Sequence, residues 1–303
     1  MKAIIVFYVI SIIDLKYFMY ICTVKQYDMF EPVIKWTGSK RSQAESIISF
    51  FPDKIKTYYE PFCGGASILN RLISSSIKVE KYICGDINQG LIDLWNAIKE
   101  RPFEISVRYR ELWEELNSDN NIPRKRSFYE SIRKRYNETR DPLDFMFLMR
   151  TCTNGTPRYN SNGMFNTSFH LKRDGISPDK LSSIIEEWSK KLNENNVEFV
   201  CCSYSEHKPN HGDFLYLDPP YAGTKGIYSG GINLDVFWNW IENLPCGYAL
   251  SFNGTVKGND NTFPVPKHLY DKHEMLYSGN SSFGRILGND KNCVVEESLY
   301  IKY

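Results

Sequence analysis

The sequence predicts an α/β protein, a Rossmann-like and parallel-rich sheet interrupted by a mainly helical insertion. Three observations carry this. Two strand-turn-helix units follow one another within residues 57–99, strand patterning nearly vanishes over residues 101–195, and it returns in four short runs between residues 197 and 301. Strands alternating with helices indicate a doubly wound parallel sheet. At 303 residues the chain is long enough to bury a sizeable core around such a sheet.

The first 28 residues behave differently from the rest. Residues 3–13 form a nearly continuous apolar run, which Asp14 and Lys16 interrupt before residues 17–24 resume it. Such charges cost roughly 2.5 to 3.5 kcal/mol each at the centre of a bilayer, and neither a basic leader nor an A-x-A-like cleavage site is present. Residues 1–28 therefore read as an apolar N-terminal extension, upstream of a functional start near Met29 or at most a loosely attached helix. No stable membrane association is expected of the chain.

After a polar loop around residues 35–41, residues 57–61 are β-prone, Phe62-Cys63-Gly64-Gly65 makes a turn, and residues 66–74 carry helical spacing. A second strand at 81–84 ends on Gly85-Asp86. Residues 89–99 then form an amphipathic helix with Leu91, Leu94, Trp95 and Ile98 on one face. Helices are expected at 104–116, 127–137 and 142–149, the last with Asp141 as N-cap and Pro142 at the first helical position. A long polar loop follows over residues 153–170, and loops of this length without structure of their own are usually functional or disordered. Ser177-Pro178 opens a further helix to about Asn193. Strand runs return at 197–202, 214–217, 248–252 and 294–301, with a helix at 234–243. The expected division is one sheet domain from 29–100 and 195–303, with 101–194 as a helical insertion.

Composition is that of an ordinary globular chain, 42% hydrophobic and 24% charged. The net charge of +1 is uninformative, but its distribution is not: residues 124–173 hold eleven Lys or Arg against four acids. That surplus marks a candidate contact for a polyanion, the bland alternative being a solvated helix surface. The eight cysteines show no C-x-x-C spacing and the five histidines no H-E-x-x-H pattern. A disulfide framework is not indicated, reduced thiols in a cytoplasm are the simplest account, and no metal is expected.

The stretch Leu215-Tyr216-Leu217-Asp218-Pro219-Pro220-Tyr221 ends an apolar strand on an acid, two prolines and a ring. Both prolines lack an N–H and fix φ, so the chain turns into a stiff edge. Such an edge suits gripping a planar polar group, although Asp-Pro is also a common plain turn. Two nucleotide motifs fail on inspection. WTGSKR lacks the first glycine of a P-loop and has Arg41 where Ser or Thr is needed, and Gly64-Gly65-Ala66-Ser67 lacks the later glycines of G-x-G-x-x-G. What remains is a glycine turn that lets a ligand approach the backbone, with Asp86 placed where a doubly wound fold hydrogen-bonds a ribose. A ribose without a phosphate loop suggests an adenosyl compound.

FEPVIKWTGSK, EPFCGGAS, GDIN, NGTPRYNSNGMFN and YLDPPY stand in this order in the chain. In that order they resemble the DNA adenine methyltransferases of the Dam type, phage members included, over residues 30–303. The resemblance implies an S-adenosylmethionine-dependent methyltransferase sheet with a target-recognition insertion at 101–194. It implies transfer of a methyl group from S-adenosylmethionine to N6 of an adenine flipped out of double-stranded DNA. Trp36, Lys40, Phe62, Gly64, Gly65, Asp86 and Asp218 would then bind the cofactor, and Asp218, Pro219, Pro220 and Tyr221 would form the target-adenine pocket.

Arg158 matches a family arginine that contacts guanine, with Asn154 and Tyr159 beside it, while Lys125, Arg126, Arg133, Lys134 and Arg135 are expected on phosphates. The resemblance further implies a cytoplasmic enzyme of a bacterial or phage-infected cell, acting as a monomer or transient dimer on DNA. It leaves a paired restriction endonuclease open. Ala66 departs from the second glycine of many members and fits if its φ is negative. Thr156 and Pro157 replace residues that vary among relatives, so no recognition sequence, GATC or other, is carried over. Methylation of an RNA base or a protein amide is the rival enzymatic reading, and the basic insertion disfavours a protein substrate. A non-enzymatic DNA-binding protein is the third reading, disfavoured by the intact Asp218, Tyr221 and Asp86.

Overall fold

The computed structural model describes residues 29–220, 232–256, 259–260, 262–280 and 294–303. The N-terminal extension expected at 1–28 and the ring of Tyr221 lie outside these residues. Strand β1 (Lys54–Glu60) pairs in parallel with β2 (Lys78–Asp86) on one side and with β4 (Phe214–Leu217) on the other. Outside these lie β3 (Val197–Cys201) against β2, and β5 (Gly247–Val256) against β4, both parallel. The order β3-β2-β1-β4-β5 is that of a doubly wound sheet, and its direction of winding reverses between β1 and β4. All four residues of β4 are buried, as expected of a central parallel strand covered on both faces.

The far edge was not fully legible. A two-residue strand β6 (Asn259–Asp260) pairs with β5, and β7 (Lys272–Asn280) pairs antiparallel with β8 (Val294–Lys302), which itself runs antiparallel to β5. Strand β7 is the sheet's outer edge, and its charged Lys272, His273 and Glu274 blunt that edge while hiding the period-2 pattern. A short helix α1 (Ala44–Ile48), also unexpected, packs on α2 (Ser67–Ile73).

Helix α3 (Gln89–Glu100) starts where the Asn88 side chain accepts from the Leu91 N–H at 3.2 Å, and it buries Leu91, Leu94, Trp95 and Ile98 as its spacing predicts. The insertion folds as α4 (Pro102–Leu116), α5 (Ile122–Thr139), α6 (Pro142–Thr151) and α7 (Pro178–Glu194). Asp141 caps α6 as expected, its carboxylate accepting from the Leu143 N–H at 2.9 Å. Helix α8 (Leu234–Glu242) returns the chain from β4 to β5.

One continuous apolar core runs from Phe30 through Trp95, Tyr109, Phe147 and Trp188 to Ile301. Trp95 is its hinge, stacked on Phe199 of β3 at 5.2 Å and packed against Trp188 of α7 at 4.8 Å. The helical insertion thus shares the core of the sheet, which holds its loop at a fixed place relative to the strand ends. Among the described residues no helix is long and apolar enough to cross a membrane.

Candidate active site

The C-terminal ends of β1, β2 and β4 meet at the switch point, where doubly wound sheets bind their ligands. A cavity of about 370 Å³ opens there. Of the residues expected to act, Trp36, Lys40, Phe62, Gly64, Gly65, Asp86, Asp218, Pro219 and Pro220 all line it. The structure brings them together from four separate segments.

The glycine turn is fixed from three sides. The Cys63 N–H donates to the Gly85 carbonyl at 2.8 Å, Trp95 Nε1 donates to the Gly64 carbonyl at 3.0 Å, and the Gly64 N–H points to Asp86 Oδ2 at 3.4 Å. Gly64 sits at φ +45°, and the indole of Trp36 lies directly over it. Ala66 also takes a left-handed backbone, φ +52°, contrary to the expectation of a negative value. The turn therefore keeps the geometry that a glycine would serve, at the steric cost of a Cβ there. Its N–H closes the turn on the Cys63 carbonyl at 2.6 Å, and its methyl is fully buried.

Asp86, at the end of β2, is buried, and its Oδ1 accepts from the Asn88 N–H at 2.9 Å. Burial pushes its carboxyl up to about 6 against the lowering effect of these backbone donors. Asp218 follows β4 and meets Lys40 Nζ at 2.8 Å. Its side chain is 17% exposed, so it faces the cavity and not bulk solvent. Burial raises its carboxyl to about 6, the Lys40 ammonium opposing and Glu297 adding to the rise. Burial works against the charged form of Lys40, but Asp218, Tyr216 and Glu297 outweigh it and raise the ammonium above its usual value. Lys40 also reaches the Gly38 carbonyl at 3.2 Å and Glu297 at 3.6 Å. Its direct partner is thus the acid of the D-P-P-Y corner.

Sequence reasoning missed two carboxylates. Glu60, the last residue of β1, lines the cavity and accepts from Tyr58 Oη at 2.8 Å and the Leu69 N–H at 3.0 Å. Burial pushes it up to about 8, so it is mostly protonated at neutral pH. It stands first in the EPFCGGAS stretch, a signal that was present. Glu297 of β8 also lines the cavity, and no local pattern marked it. Tyr204 adds an aromatic wall, stacked on Phe62 at 5.6 Å.

The 153–170 loop is not structureless. Bridges Cys152↔Phe169 and Tyr159↔Phe165 tie its two limbs into a small hairpin, and Asn160 Oδ1 accepts from the N–H groups of Asn162 and Met164 at 3.0 Å each. Arg158 is exposed at this hairpin, its N–H pinned to Thr167 Oγ1 at 2.8 Å and its carbonyl accepting from Asn166 at 2.9 Å. Asn154 is exposed with φ +60°. Tyr159 turns inward instead: its hydroxyl bonds Asn88 at 3.1 Å and its ring packs edge-on to Phe165.

The expected phosphate contacts divide. Arg126 and Lys134 are exposed. Lys125 is buried, bound to Asp174 at 2.9 Å and Asn117 at 3.0 Å. Arg135 grips the buried Asp144 through two nitrogens at 2.6 Å, and Arg133 donates to the Thr167 carbonyl at 3.2 Å. Lys125, Arg133 and Arg135 thus hold the insertion and its loop together. A charge count could not separate them from the solvent-facing pair.

A family model of D12 class N6 adenine-specific DNA methyltransferases matches residues 36–232. The chain is 29% identical over 282 residues to the type II methyltransferase M.FokI of Planomicrobium okeanokoites, covering 86% of this chain and 42% of that protein. It is 27% identical over 192 residues to the type II methyltransferase M1.LlaDCHI of Lactococcus lactis subsp. cremoris, covering 63% and 65%. It is 29% identical over 195 residues to a DNA adenine methylase of Vibrio cholerae serotype O1, covering 62% and 64%. The chain spans less than two thirds of each of these relatives.

Proposed function

The chain belongs to the D12 class N6 adenine-specific DNA methyltransferases, and from that premise we propose that it transfers a methyl group from S-adenosylmethionine to N6 of an adenine turned out of double-stranded DNA. The observation that carries this reading is the single cavity lined by both the Gly64, Gly65 and Asp86 rim and the Asp218-Pro219-Pro220 corner. Donor and acceptor sites that share one cavity can hold sulfonium carbon and amine nitrogen in line, and positioning then supplies much of the rate.

The residues present fit the donor. Trp36 and Phe62 offer flat apolar walls, the glycine turn leaves its backbone approachable, and Asp86 stands at the strand end that meets a ribose. The bound donor supplies an electrophilic methyl group on sulfur. Asp218 and the Pro219 carbonyl accept the two hydrogens of the adenine amine, which favours the pyramidal, more nucleophilic nitrogen as the methyl group leaves sulfur. Lys40 holds the Asp218 carboxylate ionised and oriented before the base arrives. The target base must leave the duplex to reach this corner, and Tyr221 is the ring assigned to stack on it. The helical insertion serves as the recognition module, with Arg158 reading a base edge and Arg126 and Lys134 on phosphates.

Mapping N6-methyladenine in the genome of a host expressing the protein tests substrate, position and context together. Methylated adenines in one fixed sequence context are expected. A genome without added N6-methyladenine, or methylation confined to RNA or protein, contradicts the reading.

A further inference from the structure

The antiparallel edge of the sheet does more than complete it. Strand β8 pairs with β5 at Phe252↔Ser298 and again at Thr255↔Glu296, so Asn253 and Gly254 of β5 together stand opposite the single residue Glu297. This is a β-bulge, and bulges beside functional sites re-aim a side chain. Gly254 makes the bulge possible, because a Cβ there would collide with the Glu296 carbonyl oxygen and stand 2.6 Å from Glu297 Cα. Beyond the bulge Leu299 and Ile301 face the main core and Tyr300 the other side of the sheet. The same alternation puts Glu297 on the side of Leu299, toward the cavity that it lines.

The segment that carries Lys40 is tied to the same edge. The Gln43 N–H donates to the Lys40 carbonyl at 2.9 Å, and the buried Gln43 Nε2 donates at 3.1 Å to the carbonyl of Leu276, the β7 residue paired with Glu297. Bulge and tether meet at the Lys40 ammonium, 2.8 Å from Asp218 Oδ2 and 3.6 Å from Glu297 Oε2. One cation between two carboxylates leaves one negative charge in excess, where Lys40 and Asp218 alone would be neutral. Methyl transfer can use that excess. As the C–N bond forms and the C–S bond breaks, its electron pair staying on sulfur, positive charge passes to the adenine nitrogen and leaves when the amine gives a proton to solvent. Negative charge fixed beside that nitrogen favours the transition state.

We propose that Glu297 is a positioning residue of the methyl transfer, drawing Lys40 part-way from Asp218 and leaving the corner with net negative charge toward the reacting nitrogen. The proposal rests on the methyltransferase reading and adds to it a residue from outside its sequence motifs. The groups around Asp218 give the sign of the test. Burial raises its carboxyl to about 6, the Lys40 ammonium opposing and Glu297 adding to the rise. Among the described residues the other titratable groups at this end of the cavity are Glu60 of β1, mostly protonated at neutral pH, and Tyr216 of β4. Without the Glu297 charge, Lys40 pairs with Asp218 alone. The Asp218 carboxyl then stays ionised to lower pH and becomes a weaker acceptor for the amine hydrogens.

The test is the full chain carrying Glu297→Gln, assayed across the acid and neutral range for transfer from methyl-labelled S-adenosylmethionine to genomic DNA free of N6-methyladenine. The acidic limb of kcat/KM is expected to move down by about half to one pH unit, while the single-turnover rate on the plateau falls roughly tenfold. Duplex affinity stays as in the unsubstituted protein. Packing damage would instead lower the rate at every pH and leave the limb where it was. Glu297→Asp keeps the charge and should keep the limb, and Glu297→Ala, expected to move it as the glutamine does, carries the test if that variant does not fold. A limb that stays in place or a plateau rate that does not fall in Glu297→Gln, or a limb displaced equally in Glu297→Asp, overturns the role of Glu297. When the unsubstituted protein methylates adenine, that outcome leaves the enzyme reading standing. Unsubstituted protein that transfers no methyl group to DNA defeats both.

Discussion

Replacing Gly64 by alanine probes the glycine turn where its geometry is most demanding. The residue sits at φ +45°, and an added Cβ would lie 2.8 Å from both Cδ1 and Nε1 of the Trp36 indole. A left-handed backbone costs an L-residue about 1 to 2 kcal/mol, and forcing a methyl group into a packed site typically costs about 1 to 3 kcal/mol more. Reduced freedom of the unfolded chain returns about 0.4 to 1 kcal/mol. The net expectation is a loss of about 1 to 5 kcal/mol in urea unfolding. The indole must also move, and since it lines the cavity, the affinity for S-adenosylmethionine should fall at least about tenfold by calorimetry, equivalent to about 1.4 kcal/mol. Gly65 provides the internal comparison. Its φ is not positive, and its added Cβ would stand 3.0 Å from Trp36 Cβ, so Gly65→Ala should cost only about 1 kcal/mol. A Gly64→Ala protein with unaltered stability and donor affinity, or one no worse than Gly65→Ala, refutes the reasoning.

The pH profile follows from Asp218, whose carboxyl is raised to about 6. Its ionised form accepts the amine hydrogens, so the active fraction is full above that value and lost as pH falls through it. The ratio kcat/KM should therefore drop below about pH 6, made steeper by Asp86, also raised to about 6. A flat profile down to pH 5 in the folded protein would contradict this assignment. Arg158→Ala should relax sequence preference at one position by about 1 to 3 kcal/mol, whereas Lys134→Ala should weaken all sequences alike and flatten the salt dependence; methylation mapping and binding isotherms separate the two. Arg135→Ala should lower unfolding stability by about 2 kcal/mol, through the loss of its forked contact with buried Asp144, while leaving the salt slope of DNA binding unchanged. A shifted slope without a stability loss would return Arg135 to the phosphate contacts.

The sheet was legible where local pattern and tertiary role agree. Strand β4 is buried on both faces, and its run of four apolar residues between a polar turn and a proline pair marks it without ambiguity. Strand β7 gave no such sign, because an edge strand is protected by the charged residues that erase alternation. The cavity residues were legible because each sits within a short motif, at a strand end for all but Trp36 and Lys40. Glu297 was not, since it reaches the cavity only through the antiparallel pairing of β8 with β5. The same limit explains Lys125 and Arg135. A basic run states how many charges a helix carries but not which carboxylates, here Asp174 and Asp144, the fold will bring to them. The backbone of Ala66 was hidden for a related reason, as a left-handed angle at a non-glycine residue is imposed by the turn around it and leaves no trace in residue type.

The most direct measurement is single-turnover methyl transfer from labelled S-adenosylmethionine to a duplex by the Asp218→Ala protein, with donor and duplex binding measured on the same preparation. Both ligands should still bind while methyl transfer to adenine N6 is lost by several orders of magnitude. Transfer at an undiminished rate would mean that the acid held by Lys40 has no part in the chemistry.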